Sequence, residues 1–186
     1  MKNIIIYGST RSGKTTLAKQ IKNEFHLNYI EIDVIKEAFK KINNIDTSKN
    51  NDFIVGQLIT DNLAVYFEKL VSISNLHDEY YVIEGTALYL PELIKIISEK
   101  SFCIICMGYP NISPEEKLRE LELFENDSDW TVKISREEKL QLCRDNINVS
   151  KYIQALANEY NLAFFDTSYS RSIVFNNVIK YLKGVI

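Results

Sequence analysis

Residues 8–15 read Gly8-Ser9-Thr10-Arg11-Ser12-Gly13-Lys14-Thr15, which has the spacing G-x-x-x-x-G-K-T. The apolar run from Ile4 to Tyr7 precedes this stretch, and the segment from Lys14 to Phe25 has a helical pattern. A strand, a glycine loop and a helix in this order are typical of a phosphate-binding loop, in which backbone N–H groups and the helix N-terminus face one anion. The motif therefore predicts a bound nucleoside triphosphate.

The residue types within this phosphate loop suit particular parts of a nucleotide. Lys14 is expected to contact the terminal phosphates, and the hydroxyl of Thr15 is expected to bind Mg²⁺. The two glycines of the loop give its backbone conformational freedom, and the other residues contribute backbone N–H donors. The predicted nucleotide-binding residues are Gly8, Ser9, Thr10, Arg11, Ser12, Gly13, Lys14, Thr15 and Thr16.

The composition is that of one domain, 1–186. Of 186 residues, 46% are hydrophobic and 25% charged, and the net charge is -3. The sequence has no block of basic residues, so neither a nucleic acid nor a membrane is expected as a partner. No signal peptide or spanning run is recognised and the cysteine count is odd, which favours a cytoplasmic protein without disulfides. A monomer and a homodimer both remain open.

Apolar runs that alternate with helical stretches predict an α/β fold. None of the five runs alternates cleanly, as expected when helices cover both faces of a parallel sheet. The predicted strands are Ile4 to Tyr7, Tyr29 to Ile32, Tyr80 to Ile83, Phe102 to Met107 and Ala163 to Phe165. The predicted helices are Lys14 to Phe25, Asp52 to Leu70, Glu92 to Ser98, Pro114 to Phe124, Arg136 to Tyr160 in one or two pieces, and Arg171 to Leu182.

Two connections are longer than a compact α/β domain needs. Residues 34–75 separate the second and third strands, and residues 108–161 separate the fourth and fifth. Excess length at such positions is typical of an acceptor-binding arm and of an insert that contains a closing lid. The polar segment 126–131 is interpreted as the lid tip, although a plain helix-connecting loop fits it nearly as well.

Two acids are expected at the carboxyl ends of neighbouring strands. Asp33 follows the second strand, where it can accept the proton of an attacking hydroxyl; it also suits the N-cap of a following helix. Glu84 follows the third strand, where it can bind Mg²⁺ or contact the acceptor, or serve simply as a turn carboxylate. Because these strand ends meet in one crevice, we expect Asp33 to be catalytic and Glu84 to be a metal residue.

The positions of the arginines in the sequence indicate which chemical group accepts the phosphate. No arginine lies between Arg11 and Arg119, although bidentate arginines are the usual means of holding an acceptor phosphate. A hydroxyl acceptor is therefore favoured over a nucleoside monophosphate. Within 108–161, Arg119, Lys133, Arg136 and Arg144 are candidates for stabilising the transferred phosphoryl group, although each alone also suits a solvated helix surface.

The phosphate loop, Ile32-Asp33 and Val82-Ile83-Glu84-Gly85-Thr86 together resemble the P-loop kinases of small molecules. They look most like the zeta-toxin and chloramphenicol-phosphotransferase branch of the adenylate-kinase-like group. The resemblance implies a three-layer P-loop kinase fold, with Asp33 as base and with Arg119, Lys133 or Arg136 on the triphosphate. Thr86-Ala87-Leu88 stands where adenylate-kinase-like enzymes commonly have an arginine, a departure that disfavours a monophosphate acceptor.

These features together predict an enzyme. The expected function is an ATP- and Mg²⁺-dependent kinase that moves the γ-phosphate to a hydroxyl of a small molecule, with Lys14, Asp33, Arg119 and Arg136 as catalytic residues. Two alternatives stay open. One is a nucleoside or nucleotide kinase, and the other is a nucleotide-sensing regulator that binds triphosphate without transferring it.

Overall fold

The computed structural model describes residues 1–42, 52–85, 88–127 and 129–186. Residues 43–51 of the predicted acceptor arm, Thr86 and Ala87 after the third strand, and Ser128 in the predicted lid tip lie outside this part of the chain. Within the described residues, no helix is both long enough and apolar enough to cross a membrane.

A five-stranded parallel sheet lies at the centre of the fold, in the order β2-β3-β1-β4-β5. The central strand β1 pairs with β3 on one side and β4 on the other, so the phosphate loop leaves the middle of the sheet. This arrangement confirms the predicted α/β sheet. The strands are β1 (Asn3–Gly8), β2 (Asn28–Glu31), β3 (Tyr81–Gly85), β4 (Phe102–Gly108) and β5 (Ala163–Asp166).

The helices of the described chain connect these strands. They are α1 (Lys14–Phe25), α2 (Ile32–Ile42), α3 (Asp52–His77), α4 (Leu90–Ile96), α5 (Pro114–Phe124), α6 (Arg136–Glu159) and α7 (Arg171–Val185), with a 3-10 turn at Trp130–Lys133. Both α5 and α6 begin with a capping box, in which a serine and a glutamate three residues later satisfy each other's backbone N–H groups.

The structure corrects the sequence prediction at the ends of β2 and β3. Ile32 was expected to close the second strand, but it begins α2, and Asp33 therefore lies in the first turn of that helix. A carboxylate is favourable in a first turn because the helix N-terminus carries partial positive charge. Glu84 and Gly85 were expected to follow the third strand, but they belong to it because they pair with Ile6 and Tyr7.

Each face of the sheet buries its own apolar cluster. Ile5, Ile83 and Ile104 point to one face, which α3, α4 and α6 cover. Ile4, Val82 and other alternate residues point to the opposite face, where α1 and α7 pack. Because both faces are covered, β1 and β4 are buried at every position, which explains why their sequences are continuous apolar runs.

Glycines at the carboxyl ends of β1 and β4 lie where there is no room for a side chain. A Cβ atom on Gly8 would lie 2.4 Å from the carbonyl oxygen of Met107. A Cβ atom on Gly108 would lie 2.9 Å from Cβ of Ser150 in α6. Glycine at these positions allows α6 to pack directly behind the start of the phosphate loop.

The central strand gives a direct test of this packing. Ile5 is 0% exposed, and Ile73, on the outer side of α3, is 43% exposed. We expect Ile5→Ala to lower the free energy of unfolding by about 2–5 kcal/mol, because it leaves a cavity in the core. Ile73→Ala, the matched control, should change it by less than about 1 kcal/mol. Urea denaturation of both variants measures the difference, and equal losses would contradict this description of the core.

Candidate functional site

The phosphate loop has the backbone shape that its sequence predicts. Gly13 has φ 93° and Arg11 has φ 63°, so the loop passes twice through the left-handed region before α1 begins at Lys14. The N–H of Ser9 donates to the carbonyl of Met107, which ties the loop to β4. The Ser12 N–H donates to the carbonyl of Ser9 across the loop. The loop therefore turns back on itself just before the N-terminus of α1.

The ammonium group of Lys14 is buried inside this loop. Its Nζ donates to the carbonyl oxygen of Ser9 at 2.8 Å, and the residue is almost fully buried. Burial lowers the pKa of Lys14 to about 8, although the nearby carboxylates of Glu84 and Asp33 act in the opposite direction. The lysine is thus a desolvated cation that gains from an additional anion.

A second polar group in the loop is unsatisfied. The Ser12 hydroxyl is fully buried and has no hydrogen-bond partner among the described residues. Buried hydroxyls normally have a partner, because an unpaired one costs about 1–3 kcal/mol. A bound phosphate would supply acceptors at this place.

Glu84 connects β3 to the start of α1 and to β2. Its side chain is only 3% exposed. One of its oxygens, Oε1, accepts hydrogen bonds from Thr15 Oγ1 and from the Tyr29 hydroxyl, both at 2.8 Å. Burial and the Glu84 carboxylate raise the pKa of Tyr29, so its hydroxyl stays protonated and donates. The predicted metal residues Thr15 and Glu84 are therefore in direct contact.

Asp33 lies beside this pair. A Cβ atom on Gly85 would be 3.1 Å from Oδ1 of Asp33, so the carboxylate lies directly against the end of β3. Asp33 is partly exposed, whereas Glu84 is buried. The structure thus brings Lys14, Thr15, Asp33 and Glu84 together at the carboxyl ends of β1, β2 and β3.

The donor set at Thr15 and Glu84 fits Mg²⁺. Hydroxyl and carboxylate oxygens are hard ligands, and Mg²⁺ is usually held by one or two protein oxygens together with phosphates and water. No group of three or more His, Cys, Asp or Glu suited to a metal occurs in the described part of the chain. The site therefore suits an ion that arrives with a nucleotide better than an ion held by protein alone.

Arg11 connects the phosphate loop to the predicted lid tip. Its guanidinium donates to Asp129 Oδ2 at 3.3 Å and to Thr131 Oγ1 at 3.2 Å. Thr131 is buried and donates to Glu125, which also accepts a hydrogen bond from Lys139. The segment between α5 and α6 is thus connected to the loop by a continuous polar network.

The basic residues predicted in the lid insert lie mostly at its surface. Arg119, Lys133 and Arg144 are exposed. The side chain of Arg136 is 70% exposed and donates from Nε to Glu122 at 3.0 Å. Their assignment to the triphosphate stays a prediction.

Three residues that contact the phosphate loop were not selected from the sequence. The Tyr109 hydroxyl donates to the Thr10 carbonyl, while Lys117 Nζ and Arg171 Nη2 donate to the Arg11 carbonyl. The helical repeat of α5 could have indicated that Lys117 is buried, because Lys117 lies on the same face of the helix as Leu118 and Leu121. Arg119 lies outside this face and is exposed.

A comparison with proteins of known name finds a kinase of similar sequence. The chain is 25% identical over 161 residues to a shikimate kinase from Caldanaerobacter subterraneus subsp. tengcongensis, covering 73% of this chain and 88% of the relative. No family model matches the sequence.

Two solved structures share the fold over nearly their full lengths. One is a shikimate kinase from Bacteroides thetaiotaomicron, with a TM-score of 0.56 and 14% identity, covering 98% of each chain. The other is a gluconokinase from Sinorhizobium meliloti 1021, with a TM-score of 0.54 and 12% identity, covering 98% of this chain and 95% of that one. The chain therefore has the fold of P-loop small-molecule kinases.

Gly13 offers a test of the loop shape. Besides its positive φ, a Cβ atom on Gly13 would lie 2.8 Å from Cζ of Phe175. We expect Gly13→Ala to lower the free energy of unfolding by about 1–3 kcal/mol, because alanine is strained in this conformation. Gly184→Ala is the control, since a Cβ atom there has open space. Thermal unfolding should show a loss for Gly13→Ala only, and an unchanged Gly13→Ala would refute the loop shape.

Proposed function

We propose that this protein is an ATP- and Mg²⁺-dependent kinase that transfers the γ-phosphate to a hydroxyl group of a small molecule. The observation that supports it most is the position of Asp33 and Glu84 around the buried Lys14 at the end of the phosphate loop. The similarity to kinases named for shikimate and gluconate, two small molecules with hydroxyl groups, supports the same reaction class.

Binding of the triphosphate is the task of the loop and of Lys14. The free N–H groups in the first turn of α1, and the partial positive charge of its N-terminus, favour an anion beside the loop. On binding, the Lys14 ammonium leaves the Ser9 carbonyl for phosphate oxygens, and the Ser12 hydroxyl gains a partner. The free energy of binding thus comes partly from groups that the free protein leaves poorly satisfied.

Thr15 and Glu84 would hold Mg²⁺ together with the nucleotide. Such an ion neutralises the charge of the transferred phosphoryl group when it is bound. Tyr29 contributes by holding Oε1 of Glu84 in place through its hydroxyl.

Asp33 is the general base of the proposal. The acceptor hydroxyl gives its proton to the Asp33 carboxylate while its oxygen attacks the γ-phosphorus, and ADP leaves. Asp33 is partly exposed, which is consistent with the approach of an acceptor to its carboxylate. The first turn of α2 fixes the position of Asp33, so its helix-terminal and catalytic roles are compatible.

The acceptor is proposed to be a hydroxyl rather than a phosphate. The sequence between Arg11 and Arg119 contains no arginine, and this span includes the predicted acceptor arm, 34–75. Membership of the zeta-toxin and chloramphenicol-phosphotransferase branch stays a prediction. So do the triphosphate contacts of Arg119, Lys133 and Arg136.

The base assignment is tested by Asp33→Asn. We expect this variant to lower kcat by about 10²–10⁴-fold, because the amide cannot accept the proton, while the affinity for ADP stays within about twofold. Release of ADP is measured over a panel of polyols, sugar acids, nucleosides and nucleoside monophosphates. Glu31→Gln is the matched control, because Glu31 is an exposed acid at the end of β2.

Each result of this assay discriminates between functions. Wild-type turnover by Asp33→Asn would refute the base role. Turnover with monophosphates alone would indicate a nucleotide kinase. Tight ATP binding without turnover on any acceptor would favour a nucleotide-sensing regulator.

The pKa of Lys14 predicts a pH dependence of nucleotide binding. The free protein loses the Lys14 proton above a pKa of about 8, whereas bound phosphate favours the charged form and raises that pKa. Affinity for ADP should therefore be constant below this pKa and fall by about tenfold one pH unit above it. Calorimetric titration between pH 7 and 9.5 measures this, with Lys14→Arg as the control that keeps its charge. A flat wild-type profile would refute the pKa assignment.

A further inference from the structure

The outer side of the phosphate loop is held by side chains from three separate elements. Tyr109, just after β4, donates its hydroxyl to the Thr10 carbonyl at 2.6 Å. Lys117 in α5 and Arg171 at the start of α7 both donate to the Arg11 carbonyl, at 3.2 Å and 3.3 Å. Two successive peptide groups of the loop are therefore held at their carbonyl oxygens by side chains distant in the sequence.

These side chains also hold one another. The Lys117 ammonium lies 3.9 Å from the centre of the Tyr109 ring, and Lys117 is only 2% exposed. Glu120 Oε2 accepts hydrogen bonds from Lys117 at 2.6 Å and from Arg171 at 2.9 Å. A buried ammonium is costly unless it is paired, so this cluster has a defined geometry and not the mobility of a surface lysine.

The direction of these carbonyls determines the direction of the neighbouring N–H groups. In a trans peptide the carbonyl of one residue and the N–H of the next point in opposite directions. Carbonyls of Thr10 and Arg11 that face outward therefore turn the N–H groups of Arg11 and Ser12 inward. The Ser12 N–H does face inward, because it donates to the same Ser9 carbonyl that Lys14 contacts.

The loop would not hold this shape by itself. Arg11 has φ 63°, a left-handed conformation that costs a non-glycine residue about 1–3 kcal/mol unless its surroundings impose it. Two cations on its carbonyl and the contacts of its own guanidinium with Asp129 and Thr131 are such surroundings.

We propose that Tyr109, Lys117 and Arg171 are positioning residues that hold the phosphate loop with its N–H groups turned toward the nucleotide. They act through the backbone of Thr10 and Arg11 and do not contact the phosphates. This inference rests on the proposed nucleotide-binding function, and it assigns the support of the loop to α5 and α7. Loss of these residues should weaken the binding of a polyphosphate more than that of an uncharged nucleoside.

The test compares the binding of ADP with that of adenosine, which has no phosphate group. Both are measured by displacement of a fluorescent ADP analogue. Tyr109→Phe removes one hydroxyl and keeps the ring beneath Lys117, and we expect about fivefold weaker ADP binding. Lys117→Met should weaken ADP binding by about tenfold or more, because it removes a charged donor. Adenosine binding should change by less than about twofold in both variants, since adenosine has no phosphate group for the loop N–H groups to bind.

Lys183→Met is the control. Lys183 in α7 also pairs with a glutamate, Glu24, but it does not contact a carbonyl of the phosphate loop. This variant should keep the wild-type ratio of ADP to adenosine affinity even if its melting temperature falls. With an active acceptor, Tyr109→Phe should raise KM for ATP and leave kcat at saturating ATP nearly unchanged.

The outcomes separate the two proposals. If the wild-type protein does not bind ADP, the proposed function fails and the positioning role fails with it. If the wild type binds ADP but Tyr109→Phe and Lys117→Met bind it equally well, only the positioning role is refuted. Equal weakening of ADP and adenosine would also refute it, because a general structural defect does not discriminate between them. If Lys117→Met does not fold, Tyr109→Phe decides.

Discussion

The burial of the Lys14 ammonium is the constraint on which the arrangement of the site depends. Removing such a charge from water costs several kcal/mol, and the protein must offset this with partners in fixed positions. The Ser9 carbonyl supplies one contact, and the carboxylates of Glu84 and Asp33 supply opposite charge. These partners come from the loop, β3 and α2, so the lysine requires the carboxyl ends of neighbouring strands to converge.

Cationic side chains also contact the backbone of the phosphate loop at two different carbonyl groups. Lys14 contacts the Ser9 carbonyl of the loop. Lys117 and Arg171, which are themselves paired with Glu120, contact the Arg11 carbonyl. Cations therefore lie on both sides of a short stretch of backbone. Carboxylates offset the charge in both places, with Glu84 and Asp33 near Lys14 and Glu120 between Lys117 and Arg171.

The sequence predicted the features that depend on local pattern. The loop motif, the parallel sheet and the proximity of Asp33 to the loop follow from residue type and spacing. The contacts of Lys117 and Arg171 with the loop could not be predicted in this way, because they depend on how two helices distant in the chain pack against the loop. The end of β2 was misplaced by one residue because Ile32 fits the apolar run of a strand as well as the buried side of a helix.

Asp33 and Glu84 differ in burial, and this difference bears on the roles proposed for them. Oε1 of Glu84 is occupied by the hydroxyls of Thr15 and Tyr29, and the side chain is nearly inaccessible. A small molecule would have to displace both hydrogen bonds to reach this oxygen. Asp33, by contrast, is partly exposed beside Gly85. This difference supports the proposal that Asp33 receives the substrate proton, and that Glu84 orients Thr15 and an ion that would accompany the nucleotide.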